Sequence, residues 1–304
     1  MPSIDARQFS DIQVLAESFV RALEAENKAP NTIRLYSGQI ERFAEFLEDR
    51  GMPTDVTRIT REHIESHIVT MLETRAPNTA AGAYRALRRY FGWLTDEGEI
   101  ERNPMGRMKP PRVPEAPVPV LTEAQLKALL KACEGTGFED RRDTAMIRLF
   151  IDSGLRLAAM AGLMVTDIDF TNAVVLATTK GSRPLAAPFG RKTSQALDRY
   201  LRARRRHPHA DFPNLWLGRK GGLVRPTIAV IVKRRGKQAG IEGLHPHQFR
   251  HTLAHQWRAQ GGGDDELMRV LGWRSRSMLH RYGSSVAVER AREAHRRLSP
   301  GDRL

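Results

Sequence analysis

The sequence predicts a mainly α protein (α+β) of two domains, with one small antiparallel sheet in the second. Three observations carry this. Apolar residues recur every three or four positions through most of the 304 residues. That spacing gives way to short apolar runs alternating with Gly and Pro at 173–188. Six prolines crowd residues 103–120.

Taken in order, Ile12, Leu15, Phe19 and Leu23 form the apolar stripe of a helix over 11–26. Asn31 or Thr32 is placed to cap a second helix carrying Ile33, Tyr36, Ile40, Phe43 and Leu47, ended by Gly51-Met52-Pro53. Thr60 opens a third through Ile64, Ile68 and Leu72. Asn78 or Thr79 opens a fourth through Tyr84, Leu87, Phe91 and Leu94, stopped near Gly98. Four amphipathic helices with short turns make a small bundle over 1–102. The stretch 103–120 reads as a semi-rigid proline-rich linker, and a second domain fills 121–304. Thr122-Glu123-Ala124-Gln125 is a capping box at its start. Helices follow at 122–133 and 141–153, a hairpin or three-stranded sheet at 173–188, and helices at 191–206, 226–239, 246–260, 264–272, 275–283 and 286–298. No internal repeat is evident.

Composition narrows the function. The chain is globular, with one cysteine (Cys133), so neither an internal disulfide nor a multi-cysteine zinc module is possible, which fits a reducing compartment. With neither a membrane-length apolar run nor a signal-peptide pattern at the start, a soluble cytoplasmic protein is expected. The 49 Lys+Arg exceed the 35 Asp+Glu for a net +14. Residues 1–119 hold 16 basic and 18 acidic residues, whereas residues 120–304 hold 33 and 17. A compositional bias toward arginine would act on both parts. The asymmetry points to a polyanion, with nucleic acid the first candidate.

Several residues carry chemistry, each with an ordinary alternative. Arg156, after Gly154-Leu155, could simply complement a helix dipole. Lys180-Gly181-Ser182-Arg183 could be a solvated basic turn. His247 and Arg250 form an H-x-x-R pair that chance alone would supply. His247, His251 and His255 have a metal-ligand spacing but lack a cysteine or nearby acid to complete a set, so no metal is expected. Tyr282 lies in a polar, basic segment, His280-Arg281-Tyr282-Gly283, rather than on an apolar stripe.

Together these pieces resemble the tyrosine recombinase (phage integrase) family, in its compact Xer-like form. The family's pattern is an Arg after Gly-Leu, a Lys in a β-hairpin, H-x-x-R, Leu-Gly-(His or Trp), and a Tyr nine residues further on. Here these positions are Arg156, Lys180, His247, Arg250, Trp273 and Tyr282, at intervals of 24, 67, 3, 23 and 9 residues. The Asn31-Thr32…Tyr36…Phe43 helix and Arg85-Ala86-Leu87-Arg88-Arg89-Tyr90-Phe91 are similar to the family's helical core-binding (SAM-like) domain, so the resemblance spans nearly the whole chain.

The resemblance implies a site-specific DNA recombinase working without metal or cofactor. Arg156 and Arg250 would offset charge on the scissile phosphate as planar, permanently charged forks. Tyr282 would attack to give a 3′-phosphotyrosyl link, His247 would assist proton removal from the phenol or hold the phosphate, and Lys180 would protonate the leaving 5′-oxygen. Trp273 would pack and donate one hydrogen bond. Strand exchange would pass through a Holliday junction in a homo-tetramer on double-stranded DNA, with the tail helix over Val286–Leu298 docked on a neighbouring protomer. Arg85, Arg88, Arg89 and Arg183 are expected on DNA-facing surfaces. Only about ten residues precede the first helix, which suits a simple-site enzyme. A type IB topoisomerase-like enzyme and a non-catalytic DNA-binding protein remain open. One departure stands out: the family's usual acid three residues after the first Arg is Ala159 here, preceded by Ala158.

Overall fold

The computed structural model describes residues 10–114, 119–179, 183–273, 275, 276 and 279. Lys180, Tyr282 and nearly all of the two helices expected over 275–283 and 286–298 lie outside the described residues. The chain divides into two compact units, residues 1–116 and 117–304.

The first unit is four helices: α1 (Ile12–Ala25), α2 (Pro30–Asp49), α3 (Arg61–Thr74) and α4 (Pro77–Asp96). Their apolar stripes converge on one core containing Phe19, Ile40, Phe43, Ile64, Leu87, Tyr90 and Phe91. Edge-to-face packing of Phe19 on Tyr90, centroids 5.2 Å apart, joins α1 to α4. The Tyr90 hydroxyl donates to the Ile12 carbonyl at 2.9 Å. Asp11 caps α1 by accepting from the Gln13 N–H at 2.8 Å, an end satisfied by side chain as expected of an acidic N-cap.

Two expectations need correcting here. The caps of α2 and α4 are Ala29 and Ala76, with the proline at the first helical position and Asn and Thr already inside the helix. Proline presets the helical φ and lacks the N–H that would go unpaired there, so it starts the helix one step earlier than a polar cap would. The second correction is that the first unit contains a repeat. Ala29-Pro30-Asn31-Thr32 and Ala76-Pro77-Asn78-Thr79 stand 47 residues apart. Each opens a helix of 20 residues, and each helix is followed by a left-handed glycine, Gly51 (φ 64°) or Gly98 (φ 79°). Phe43, Phe46 and Leu47 correspond to Tyr90, Trp93 and Leu94. The likeness is confined to the two ends and the buried face, which hides it among differing surface residues.

The core also reaches into the stretch expected as linker. Met105 and Met108 are buried against the first unit, and the Tyr84 hydroxyl donates to the Met108 carbonyl at 2.5 Å. Residues 103–108 therefore pack with the helices before them.

His67 on α3 is buried between the rings of Phe43 and Phe46. Neither ring nitrogen has a hydrogen-bond partner among the described residues. Burial, reinforced by the positive charge of Arg42, pushes its pKa from 6.5 down to about 4. The folded state thus keeps the imidazole neutral where the unfolded chain takes up a proton. Stability is full above pH 6.5 and falls as the pH drops from there toward 4, by up to about 3 kcal/mol. His67→Leu is expected to flatten that dependence, as read from urea unfolding at neutral pH and near pH ~5. An unchanged pH slope would remove His67 as its source.

The second unit holds α5 (Glu123–Lys131), α6 (Phe138–Ser153), α7 (Leu157–Gly162), then β1 (Ile168–Asp169), β2 (Val174–Thr179) and β3 (Arg183–Pro188). After them come α8 (Arg191–Arg204), a two-stranded hairpin of β4 (Leu217–Gly218) and β5 (Gly221–Gly222), α9 (Arg225–Gln238), α10 (Pro246–Ala259) and α11 (Asp264–Leu271). The capping box at Thr122 forms in both directions, the Gln125 N–H donating to Thr122 Oγ1 at 3.2 Å and the Thr122 N–H to Gln125 Oε1 at 2.9 Å. The sheet is antiparallel in the order β1-β2-β3, in register from Val174 opposite Pro188 to Thr179 opposite Arg183. The buried face of α6 fills the core, with Phe150 stacked on Phe249 of α10 at 5.4 Å. Short α7 and the β4–β5 hairpin were not anticipated.

Candidate active site

The site is assembled at the ends of two helices. α6 ends at Gly154, whose φ of 57° and ψ of 24° are left-handed. α11 ends the same way at Gly272, φ 61° and ψ 40°. At this second end the Trp273 N–H donates to the Met268 carbonyl at 2.8 Å and the Gly272 N–H to Arg269 at 3.2 Å, a glycine-dependent cap that leaves the Leu271 carbonyl to another donor.

That donor is Arg250. Its guanidinium, on the first turns of α10, is only 1% exposed. Nη1 donates to the Gly154 carbonyl at 3.0 Å and Nη2 to the Leu271 carbonyl. Both acceptors sit at helix C-termini, where the backbone dipoles present negative charge, so the surroundings offset burial of a cation that cannot shed its proton. The guanidinium carbon lies 5.2 Å from the centre of the Trp273 ring, a cation–π contact that fixes a third side.

The geometry explains a glycine that the sequence alone leaves unexplained. A Cβ at Gly154 would stand 2.8 Å from Leu271 Cδ2, 3.0 Å from Leu253 Cδ2 and 3.5 Å from Arg250 Cα. Gly-Leu-Arg thus needs its glycine for handedness and for the close approach of α10 and α11. Gly154, Arg250, Leu271 and Trp273, separated by up to 119 residues, form one connected unit.

Arg156 lies two residues beyond the carbonyl that Arg250 grips, as N-cap of α7, and is half-buried. Among the described residues its guanidinium has no hydrogen-bond or ion-pair partner. Ala159, where the family's acid would stand, is buried against the second unit's core, so α7 offers an apolar contact there in place of a carboxylate. His247 is exposed on the first turn of α10, its ring perpendicular to that of buried His251 at 4.8 Å. Among the described residues, no three His, Cys, Asp or Glu side chains come together where a metal ion could sit. Trp273 is buried with Ala254, Leu267, Leu271 and Leu279. The structure therefore brings together Arg250 and Trp273, places Arg156 next to the same helix end, and leaves Lys180 and Tyr282 outside its description.

The arginines expected to face DNA have diverse surroundings. Arg85 is exposed. Arg88 donates to the Tyr84 hydroxyl at 2.8 Å and to the Met108 carbonyl at 3.2 Å, and Arg89 pairs with Glu26. Arg183 has only its backbone described, opposite Thr179. The expectation of a DNA-facing surface did not anticipate that Arg88 and Arg89 have partners within the first unit.

Residues 119–287 match the Phage integrase family, and residues 15–99 match the phage integrase N-terminal SAM-like domain. The tyrosine recombinase XerC of Oceanobacillus iheyensis is 26% identical over 300 residues, covering 96% of this chain and 97% of the relative. The tyrosine recombinase XerC of Chromohalobacter salexigens is 32% identical over 250 residues, 78% and 80% of the two chains. In fold, the chain is similar to the XerH site-specific recombinase bound to palindromic difH substrate in a post-cleavage complex. The TM-score is 0.74 at 16% identity, covering 93% of this chain and 84% of that one. The chain belongs to the phage integrase family, the tyrosine recombinases.

Proposed function

We propose that this chain is a site-specific DNA recombinase that cuts and rejoins strands through a 3′-phosphotyrosyl intermediate. The observation that carries the reading is the gripping of Arg250 by the two chain segments that bear Arg156 and Trp273. A cation held rigidly at that junction suits a pentacoordinate phosphate, which gains charge as it forms. Tyr282 attacks phosphorus and the bond to O5′ breaks. The phenolic proton passes toward His247, and Lys180 supplies the proton that O5′ takes up. Religation reverses each transfer. Arg156 and Arg250 hold the non-bridging oxygens, and Trp273 backs Arg250.

Relatives named XerC and XerD align over nearly their full lengths, which favours recombination over a type IB topoisomerase. Strand exchange then proceeds through a Holliday junction in a tetramer. One solved relative by fold, a lambda integrase, is a tetramer bound to such a junction. The tail over 286–298 joins protomers, and the protein works in the cytoplasm. Among the described residues no helix is long and apolar enough to cross a membrane.

Covalent trapping tests the reading. DNA that becomes linked to the purified protein, sequenced, supplies the site. On a nicked suicide duplex of that site, the parent is expected to form a covalent adduct in the presence of a metal chelator, and Tyr282→Phe is expected to form none. An adduct persisting in the phenylalanine variant would move the nucleophile elsewhere.

A further inference from the structure

Four cations in the second unit line a groove that does not include the clamped arginine. Arg141 and Arg148 on α6, with Lys192 and Arg199 on α8, surround a groove of about 360 Å³ that also includes Gln195 and a single carboxylate, Glu134. Among the described residues, none of the four side chains has a hydrogen-bond or ion-pair partner. Arg142, Arg204 and Arg235 of the same unit behave differently, being buried and donating to protein oxygens. The groove cations are thus not part of the internal scaffold, and their mutual repulsion persists in the folded state.

Their placement is ordered. The Gly190 N–H donates to Asp152 Oδ2 at 2.7 Å, which pins the start of α8 beside the end of α6. The two helices therefore run antiparallel, and each carries its two cations seven residues apart, about 10.5 Å along the axis. Arg148 and Lys192 form a rung toward the Arg156 end of α6, and Arg141 and Arg199 form a second rung further away. That separation spans about three base pairs of axial rise along a strand.

We propose that the α6/α8 groove is a second DNA-backbone site, which holds phosphodiesters away from the cleaved one. The proposal rests on the reading above that the substrate is duplex DNA. DNA is favoured over a protein ligand because Arg148, which forms the inner rung with Lys192, lies on the helix that ends at Gly154, two residues before Arg156, so a duplex engaged at Arg156 can run on along α6. The chain's own tail has the wrong sign, since residues 283–304 hold five arginines and three acids.

The test is the salt dependence of duplex binding by the full chain. Each phosphate contact adds about 0.9 to the slope of log K against log salt. Replacing all four cations by glutamine is expected to make the slope shallower by about 3 to 4, with the thermal melting profile retained. Glu134→Gln is expected to tighten binding at a given salt concentration. A parent and quadruple variant with the same slope would overturn the groove while leaving the recombinase reading intact. Competition by polyglutamate that depends on the four cations, with the duplex slope unaltered, would reassign the groove to an acidic protein and also overturn the proposal. A parent that binds no duplex and forms no Tyr282-dependent adduct would sink the recombinase reading itself, and the groove with it.

Discussion

Arg250→Lys is expected to slow strand cleavage by about 10²–10³-fold while changing duplex binding only a few-fold. Arg250 spans two carbonyls at separate helix ends, using a different nitrogen for each. An ammonium keeps the charge but concentrates its donors on one atom, so it cannot reach both carbonyls and present a planar fork to phosphate. Binding should be less sensitive because a side chain 1% exposed contributes little to the field that a duplex meets at the surface. Alanine is the harsher change: it leaves two inward-facing carbonyls without their donor and opens a cavity beneath Trp273, at a cost of about 2–4 kcal/mol. The lysine variant therefore separates catalysis from folding. The measurement is the rate of adduct formation on a suicide duplex beside the dissociation constant of the same duplex. Equal losses in both would mean that Arg250 acts through the fold or through binding, and an unchanged cleavage rate would remove it from the chemistry.

Local signals in the sequence were enough to read the helices that end at a capping box, a left-handed glycine or a proline. Thr122 and Gln125 cap each other as their spacing demanded, and the Gly/Pro-punctuated run at 173–188 became β2 and β3. What escaped had no local signal. Helix α7 has six residues, too few for a period to register. The β4–β5 hairpin is built on Gly218, Gly221 and Gly222, where a Cβ would strike Leu223, Phe212 or Asn214; those collisions exist only after folding. Met105 and Met108 sit among prolines that read as linker, and only the completed helical core shows that they belong to it. The site was similarly divided. Residue type and order picked out Arg250 and Trp273, but not that Arg250 is buried, nor that Gly154 and Leu271 hold it through their carbonyls. Backbone acceptors have no residue identity to read, so a clamp made from them is invisible in a string of letters. Arg88 and Arg89 illustrate the converse, since their intramolecular partners Met108 and Glu26 are distant in sequence.

Asp143→Ala is expected to cost the second unit about 3–5 kcal/mol, a large part of the stability of an ordinary domain. Asp143 is fully buried on α6. Its Oδ1 accepts from Arg142 Nε at 2.9 Å and Nη2 at 2.8 Å. Its Oδ2 accepts from Arg234 Nη2 at 2.9 Å and Arg235 Nε at 2.8 Å. Arg142 passes on to the Leu217 carbonyl at 3.0 Å and Arg235 to the Ala132 carbonyl at 2.8 Å. One carboxylate therefore ties α6 to α9, to the β4–β5 hairpin and to the end of α5. Removing it leaves buried Arg142 with uncompensated charge and takes from buried Arg235 one of its two carboxylate partners. Asp140, which also accepts from Arg235 at 2.9 Å, cannot replace it because Arg142 would remain unpaired. The pair Asp143→Ala and Arg142→Met is then expected to recover part of the loss, since taking both charges out of the interior removes the penalty that one alone leaves behind. Urea unfolding of the full chain followed by tryptophan fluorescence reports on this unit through Trp216, Trp257 and Trp273. A single-variant loss below about 1 kcal/mol would show that solvent screens the cluster and that the three arginines do not depend on Asp143 for their place in the core.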